Sequence, residues 1–281
     1  MYKFEPILKP LVWGTESWVL SSVPGSESVV SEGPDAGKTL TEIYGGEFPL
    51  LIKFIDARKD LSIQVHPDDE LAAARHRCRG KSEMWYVVGA AEGAHLYSGL
   101  SSRITLEEYV RRVGDGTLTE VLADYYVAPG DVFFIPAGRI HAICGGCYLL
   151  EIQETSDITY RLYDYNRPGL DGKPRQLHTE LAKDAIDYTV AEDYRTHYEH
   201  HWNEPVELVK CRHFTTTLFE LTTPLRCPSP GGWLTVMCAE GAGTVNGAPL
   251  RAGQALLLTP SETALELIPS PQGFKLLTSS F

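Results

Sequence analysis

Along the first 190 residues the apolar positions fall into short runs of strand length separated by polar turns, and only a few stretches show helical spacing. Phe48–Asp56 is a dense apolar run, and Leu61–His66 follows after a charged turn. In the second of these, alternation puts Ser62, Gln64 and His66 on one face and Ile63 and Val65 on the other. Aromatic and β-branched residues predict further strands at Glu83–Val88, Asp131–Ile135, Tyr148–Gln153 and Ile158–Asp164. Pro67-Asp68-Asp69 carries helix-start chemistry for a helix over Glu70–Cys78, with Gly80 as its stop. Thr105 is an N-cap candidate for a helix to Val113 with apolar positions 106, 109, 110 and 113, and Leu118–Ala123 and Leu177–Tyr188 also read as helical. Ser21–Lys38 and Asn166–Gln176 read as loops. Beyond residue 204 the spacing predicts Val206–Val209, Phe214–Leu221, Gly232–Glu240, Gly243–Val245, Gln254–Leu258, Ala264–Leu267 and Phe274–Leu277, a run of short strands that implies a second sandwich or barrel. Gly253–Pro260 echoes Gly130–Pro136 without a following histidine, as a duplicated β unit with chemistry in one copy would.

Composition narrows the function classes. A chain of 281 residues, 43% hydrophobic, builds one large domain or two ordinary ones without staples. A net charge of -12 with no Lys/Arg block argues against nucleic acid or a basic membrane surface as partner, while leaving room for a small anion in a local positive pocket. Met1–Gly14 lacks the basic-then-apolar pattern of a leader, and no apolar run reaches 18 residues, so a cytoplasmic protein with no membrane partner is expected. The six cysteines are then expected as free thiols, and Cys144-Gly-Gly-Cys147 as a tight turn joining the strand at Phe133–Ile135 to that at Tyr148–Gln153.

Three segments place donors on strands: Ser62–His66, Lys81–Trp85 with Lys81, Glu83 and Trp85 on one face, and Gly130–His141, where a Pro136-x-Gly138 corner would aim His141. Alone, each such residue is ordinarily a hydrogen-bonded structural group. Together, Gly130-(x)5-Pro136-x-Gly138-x-x-His141 has the form of the second cupin motif, and Gln64-x-His66 with Glu83 resembles the first. The departures are a Gln at the usual first His and the sixteen residues between His66 and Glu83. With Phe48–Ala57, Leu61–Asp69, Gly80–Tyr86 and Ile152–Asp164, these motifs resemble type I mannose-6-phosphate isomerase in its short bacterial form, from about residue 9 to 185.

The resemblance implies a mainly β fold: a cupin (jelly-roll) β-barrel with a helical insertion, followed by a smaller cupin-like β domain. The corresponding division is a catalytic domain at 1–190 with the insertion near 103–124, a linker at 191–204, and a C-terminal domain without metal ligands at 205–281. It also implies one Zn²⁺ per chain on Gln64, His66, Glu83 and His141, a donor set without thiolate that does not exclude Mn²⁺, Fe²⁺ or Co²⁺. The implied reaction interconverts mannose 6-phosphate and fructose 6-phosphate through an enediol, with Arg161 as the family's catalytic arginine. Parity puts Asp157, Thr159, Arg161 and Tyr163 on one face. A guanidinium is a poor proton acceptor, so Arg161 suits charge stabilisation, and the base stays open among metal-bound water, Lys81 and Asp157. Lys53, Lys81, Arg139 and Arg175 form the pool for the substrate phosphate. Trp13, Trp18 and Trp85 are expected in the core, and His197, His200 and His201 in a solvated linker. A non-catalytic sugar-binding or regulatory cupin and an iron oxygenase are the competing readings; a fourth ligand at Gln64 counts against the latter.

Overall fold

The computed structural model describes residues 1–281 and divides into two compact units, Leu8–Ser17 with Leu51–Arg195, and Met1–Ile7 with Trp18–Leu50 and Thr196–Phe281. The 1–190 boundary expected from sequence therefore differs from the observed one: the N-terminal residues around 18–50 cluster with the C-terminal strands. Aromatic contacts explain this. Tyr44 meets Trp233 edge to face at 5.6 Å and Phe48 meets Phe281 at 5.0 Å, long-range pairings that no local pattern announces.

The unit containing the three donor segments is built on two antiparallel sheets. One, of seven strands, runs Arg195–Thr196, Val132–Ile135, Glu83–Ala90, Cys147–Glu154, Leu50–Ala57, Gly14–Leu20, Ile7–Leu11. The other, of five, runs Leu122–Tyr126, His95–Leu100, His141–Ile143, Ile63–Val65, Tyr160–Tyr163. Trp85, Val87, Phe133 and Ile135 from the first sheet meet Leu96 and Ile143 from the second in one buried core, so the fold is the expected jelly-roll with its edges left open rather than a closed barrel. The outer face of the five-stranded sheet, with Ile63, Val65, Ala142 and Leu162, is covered by Tyr109, Leu118, Val121, Ala182 and Ile186. The helical insertion is thus a buttress on the back of the sheet.

The helices follow their capping chemistry. Asp68 caps Asp69–His76 by accepting from the Leu71 N–H, and Thr105 caps Leu106–Asp115 through the Glu108 N–H. The first helix stops at Arg77 in the left-handed region, and Gly80 serves a close approach instead of a cap, since a Cβ there would lie 2.5 Å from the Asp68 carbonyl carbon and the Asp69 nitrogen. Only glycine lets the chain cross back over the helix start, where the Lys81 N–H bonds the Pro67 carbonyl at 3.1 Å. That crossing returns Lys81 and Glu83 to the side of His66 after the sixteen-residue excursion. Two helix expectations shrink: Leu118–Val121 is a 3-10 turn leading into strand Leu122–Tyr126, and the 177–188 helix is one turn at Thr179–Ala182. Strands His95–Leu100 and His141–Ile143 lie outside the predicted set, and the Cys144–Cys147 turn joins the latter to Cys147–Glu154. All six cysteines are free.

In the other unit the C-terminal strands share one eight-stranded sheet over a core that includes Phe219, Val236, Leu256 and Leu276. Segments predicted separately merge into Leu234–Val245 and the long Ala264–Ser280. No helix of the protein is long and apolar enough to cross a membrane.

Candidate metal centre

The ladder registers assemble the donors. Gln64 lies directly opposite His141 on one neighbouring strand and Arg161 on the other, and His141 lies opposite Ser98. Residues opposed across an antiparallel ladder share a face, so Arg161, Gln64, His141 and Ser98 form one row on the inner face of the five-stranded sheet. His66 lies one residue past the end of strand Ile63–Val65, and its ring reaches the same site. From the facing sheet Glu83 stands between Ile135 and Gln153, turned inward with Trp85.

His66, Glu83 and His141 are fully buried and each offers one ligand atom within 4.8 Å of the others. Glu83 Oε2 lies 3.5 Å from His66 Nε2 and Glu83 Oε1 lies 3.5 Å from His141 Nε2. The imidazole protons are elsewhere: His66 Nδ1 donates to the Ile158 carbonyl at 2.9 Å and His141 Nδ1 to the Arg139 carbonyl at 2.8 Å. Each ring therefore turns an unprotonated Nε2 inward, toward a carboxyl group to which it has no proton to give. His141 Nε2 and Glu83 Oε1 have no hydrogen-bond partner. Converging lone pairs in a buried site repel unless a cation lies among them, and two imidazoles, a carboxylate and an amide without sulfur suit Zn²⁺ or another first-row divalent ion. Lys81 supplies part of that positive charge, with Nζ 2.8 Å from Glu83 Oε2 and 3.2 Å from His66 Nε2.

Burial sets the protonation states. It pushes His141 down to about 3 and His66 well below the ordinary imidazole value. Burial, reinforced by nearby Glu151, pushes Glu83 up to about 7 against the pull of Lys81. Burial would raise Glu151 as well, but Lys53 and Lys81 overcome it and hold that carboxyl at about 2. A divalent ion held by these residues would therefore displace a proton from Glu83 and none from the imidazoles. Zinc affinity is expected to fall about tenfold per pH unit below about 7 and to level off above it. Competition with a chelator between about pH 5.5 and 8 measures this, and a flat profile over the lower half would contradict it.

Other predicted residues are placed as follows. Arg161 is half-buried, its Nε 3.3 Å from Ser62 Oγ and its Nη1 3.0 Å from the Gln176 carbonyl; burial lowers its pKa, and a guanidinium so shifted remains a cation. Asp157 is exposed, in the irregular segment before strand Tyr160–Tyr163, so the parity argument does not apply to it and it stays outside the buried cluster; its charge acts on Lys9. Tyr163 also departs from parity. A β-bulge after Arg161 sets Tyr163 opposite Ile63, on the outer face. In the phosphate pool, Arg139 bonds the Phe134 carbonyl and lies 4.7 Å over the Tyr194 ring, while Arg175 and Arg167 both bind Asp164. Trp13, Trp18 and Trp85 are core residues, and His200 pairs with Glu220.

One network was missed from sequence. Glu151 accepts from Trp85 Nε1 at 3.0 Å and from Lys53 Nζ at 3.0 Å, with Glu16 3.9 Å from the same ammonium. The signal was there: a lysine inside Leu50–Ala57 and a glutamate inside Cys147–Glu154, charges in otherwise apolar strands, rarely buried without a partner.

Known proteins share this arrangement of strands. Residues 16–86 match the model of the family described as phosphomannose isomerase type I, catalytic domain. The chain is 32% identical over 289 residues to mannose-6-phosphate isomerase ManA of Bacillus subtilis (strain 168), covering 91% of each. Among solved structures it is similar to the mannose 6-phosphate isomerase from Bacillus subtilis, with a TM-score of 0.91 at 28% identity over 100% of this chain and 99% of that one. The apo form of the enzyme from Salmonella typhimurium, at 14% identity and a TM-score of 0.73 over 99% of this chain and 98% of that one, shares the fold.

Proposed function

This chain belongs to the type I mannose-6-phosphate isomerase family, and from that premise we propose that it is a metal-dependent aldose–ketose isomerase interconverting mannose 6-phosphate and fructose 6-phosphate through an enediol. The observation that carries the reading is the buried convergence of two unprotonated imidazole Nε2 atoms on one carboxyl group, with His141 Nε2 and Glu83 Oε1 left without a hydrogen-bond partner. In it, the unit of Leu8–Ser17 and Leu51–Arg195 is catalytic and carries all four proposed ligands.

Gln64, His66, Glu83 and His141 would hold the ion, most simply Zn²⁺. When bound, it supplies Lewis-acid charge to substrate oxygens. The isomerisation moves one proton from C2 to C1 and a hydroxyl proton from O2 to O1, passing through an enediolate. Arg161, cationic and anchored at Ser62 Oγ and the Gln176 carbonyl, is oriented to stabilise the negative oxygen that develops. Of the two side chains offered as proton carriers, Lys81 has its Nζ among the ligand atoms and Asp157 is exposed, so the reading assigns the relay to Lys81 Nζ, which would first give up one ammonium proton as the ion takes over its charge beside Glu83, then take the C2 proton and return it at C1. Lys53, held ionised by Glu151 and Glu16 despite burial, fixes the Glu151 carboxylate on that side of the site.

Incubating the metal-loaded protein with fructose 6-phosphate is expected to yield mannose 6-phosphate, and chelation to abolish the yield. Absence of turnover with Zn²⁺, Mn²⁺ and Co²⁺ alike would sink the enzyme reading. Binding of the sugar phosphate without turnover would instead favour a non-catalytic sugar-binding protein.

A further inference from the structure

We propose that Gln153 is a positioning residue for the metal centre: it clamps the turn whose carbonyl sets the tautomer and aim of His66. The inference rests on the metal reading above, and it concerns a side chain that touches neither the ion nor the substrate in that reading.

Gln153 is fully buried and stands opposite Glu83 in the ladder of the seven-stranded sheet. Its Nε2 donates to the carbonyls of Glu154, at 2.8 Å, and Ser156, at 2.5 Å. Both partners can only accept, so the orientation of the amide is fixed by chemistry. Its Oε1 is buried without a partner, so the side chain's hydrogen bonding is spent on the turn. Ser156 extends the clamp: its Oγ donates to the Arg79 carbonyl at 3.0 Å and accepts from the Ile158 N–H at 3.4 Å. The carbonyl of that same Ile158 receives the Nδ1 proton of His66.

The two histidines are thus supported unequally. His141 donates to Arg139, two residues earlier on its own turn, a contact that forms with the local backbone. His66 donates to a carbonyl 92 residues away, in the irregular stretch between strands Cys147–Glu154 and Tyr160–Tyr163. Nothing in the backbone of His66 itself holds that carbonyl in place; Gln153 and Ser156 do. Withdrawing the two amide N–H groups frees the turn, and a displaced Ile158 carbonyl lets the His66 ring rotate or take the other tautomer, with its proton on Nε2 where the metal would bind.

The test measures zinc affinity directly, by chelator competition on the full chain, for wild type, Gln153→Met and Ser156→Ala, with circular dichroism to establish folding. Gln153→Met keeps the side-chain length and removes both donors. It is expected to weaken Zn²⁺ binding roughly 10- to 100-fold, the range for partners of metal-ligating histidines, with Ser156→Ala weaker in the same direction. The turnover deficit of Gln153→Met should close as free zinc is raised, which a general loss of packing would not do. Zinc affinity within about twofold of wild type in folded Gln153→Met overturns the proposal; should that variant be recovered only unfolded, the same result in Ser156→Ala does so. A wild-type protein that binds no zinc removes the premise and the proposal together, whereas tight wild-type binding matched by the variants removes the proposal alone.

Discussion

Glu83→Gln is expected to lower zinc affinity by more than the roughly 10- to 100-fold that outer partners of a metal site are worth, and to take isomerase activity down with it. Glu83 is the one anion among the four proposed ligands, lying between His66 Nε2 and His141 Nε2 at 3.5 Å from each. Glutamine keeps the shape and removes the charge, so the loss reports electrostatics rather than a cavity. The metal-free protein should not suffer. A buried carboxyl whose pKa is pushed up to about 7 is unfavourable as an anion, and an amide in its place can donate an N–H to the bare Nε2 of His141. Thermal unfolding with and without Zn²⁺ separates the two effects. Wild type should gain stability on metal loading, by about 2.7 kcal/mol at a hundredfold excess over Kd, while Glu83→Gln gains little at the same concentration. A full metal-induced gain in the variant would remove Glu83 from the ligand set.

Arg161→Ala separates catalysis from metal binding. Its guanidinium bonds Ser62 Oγ and the Gln176 carbonyl and contacts none of the three buried ligands, so metal content should be unchanged. Activity should fall by about 10²–10³, the usual loss when one preorganised donor to a developing oxyanion is removed. Arg161→Lys restores charge without the planar fork and should recover only part of the rate. Steady-state kinetics in both directions, beside metal analysis of the same samples, give the answer. Full activity in Arg161→Ala would end its catalytic assignment and leave the isomerase reading standing.

How much of this was legible in the sequence can be judged residue by residue. Alternation in Ser62–His66 put Gln64 opposite in face to Ile63 and Val65, and the ladder agrees, whereas His66 lies one residue past the strand and reaches the site from beyond its end. The same rule misplaced Tyr163, since a bulge inserts a residue without leaving a compositional mark. It did not reach Asp157, where no strand exists. Helix starts at Asp68 and Thr105 were readable from capping side chains, whereas the stop at Arg77 was hidden because Gly80 is needed for a close chain crossing rather than a cap. The Lys53–Glu151 pair was hidden because its partners are 98 residues apart.

By itself the sequence determined the mainly β character and the helix starts, because these depend on side-chain type and on periodicities that repeat every two or four residues, while the four donors and Arg161 were picked out by the resemblance of their motifs to a known family. The tertiary structure decided which lone pairs face one another, which carbonyl holds each histidine, and to which unit residues 18–50 belong. Those are contacts between segments tens of residues apart, set by ladder register, burial and a single glycine crossing, and no local pattern encodes them.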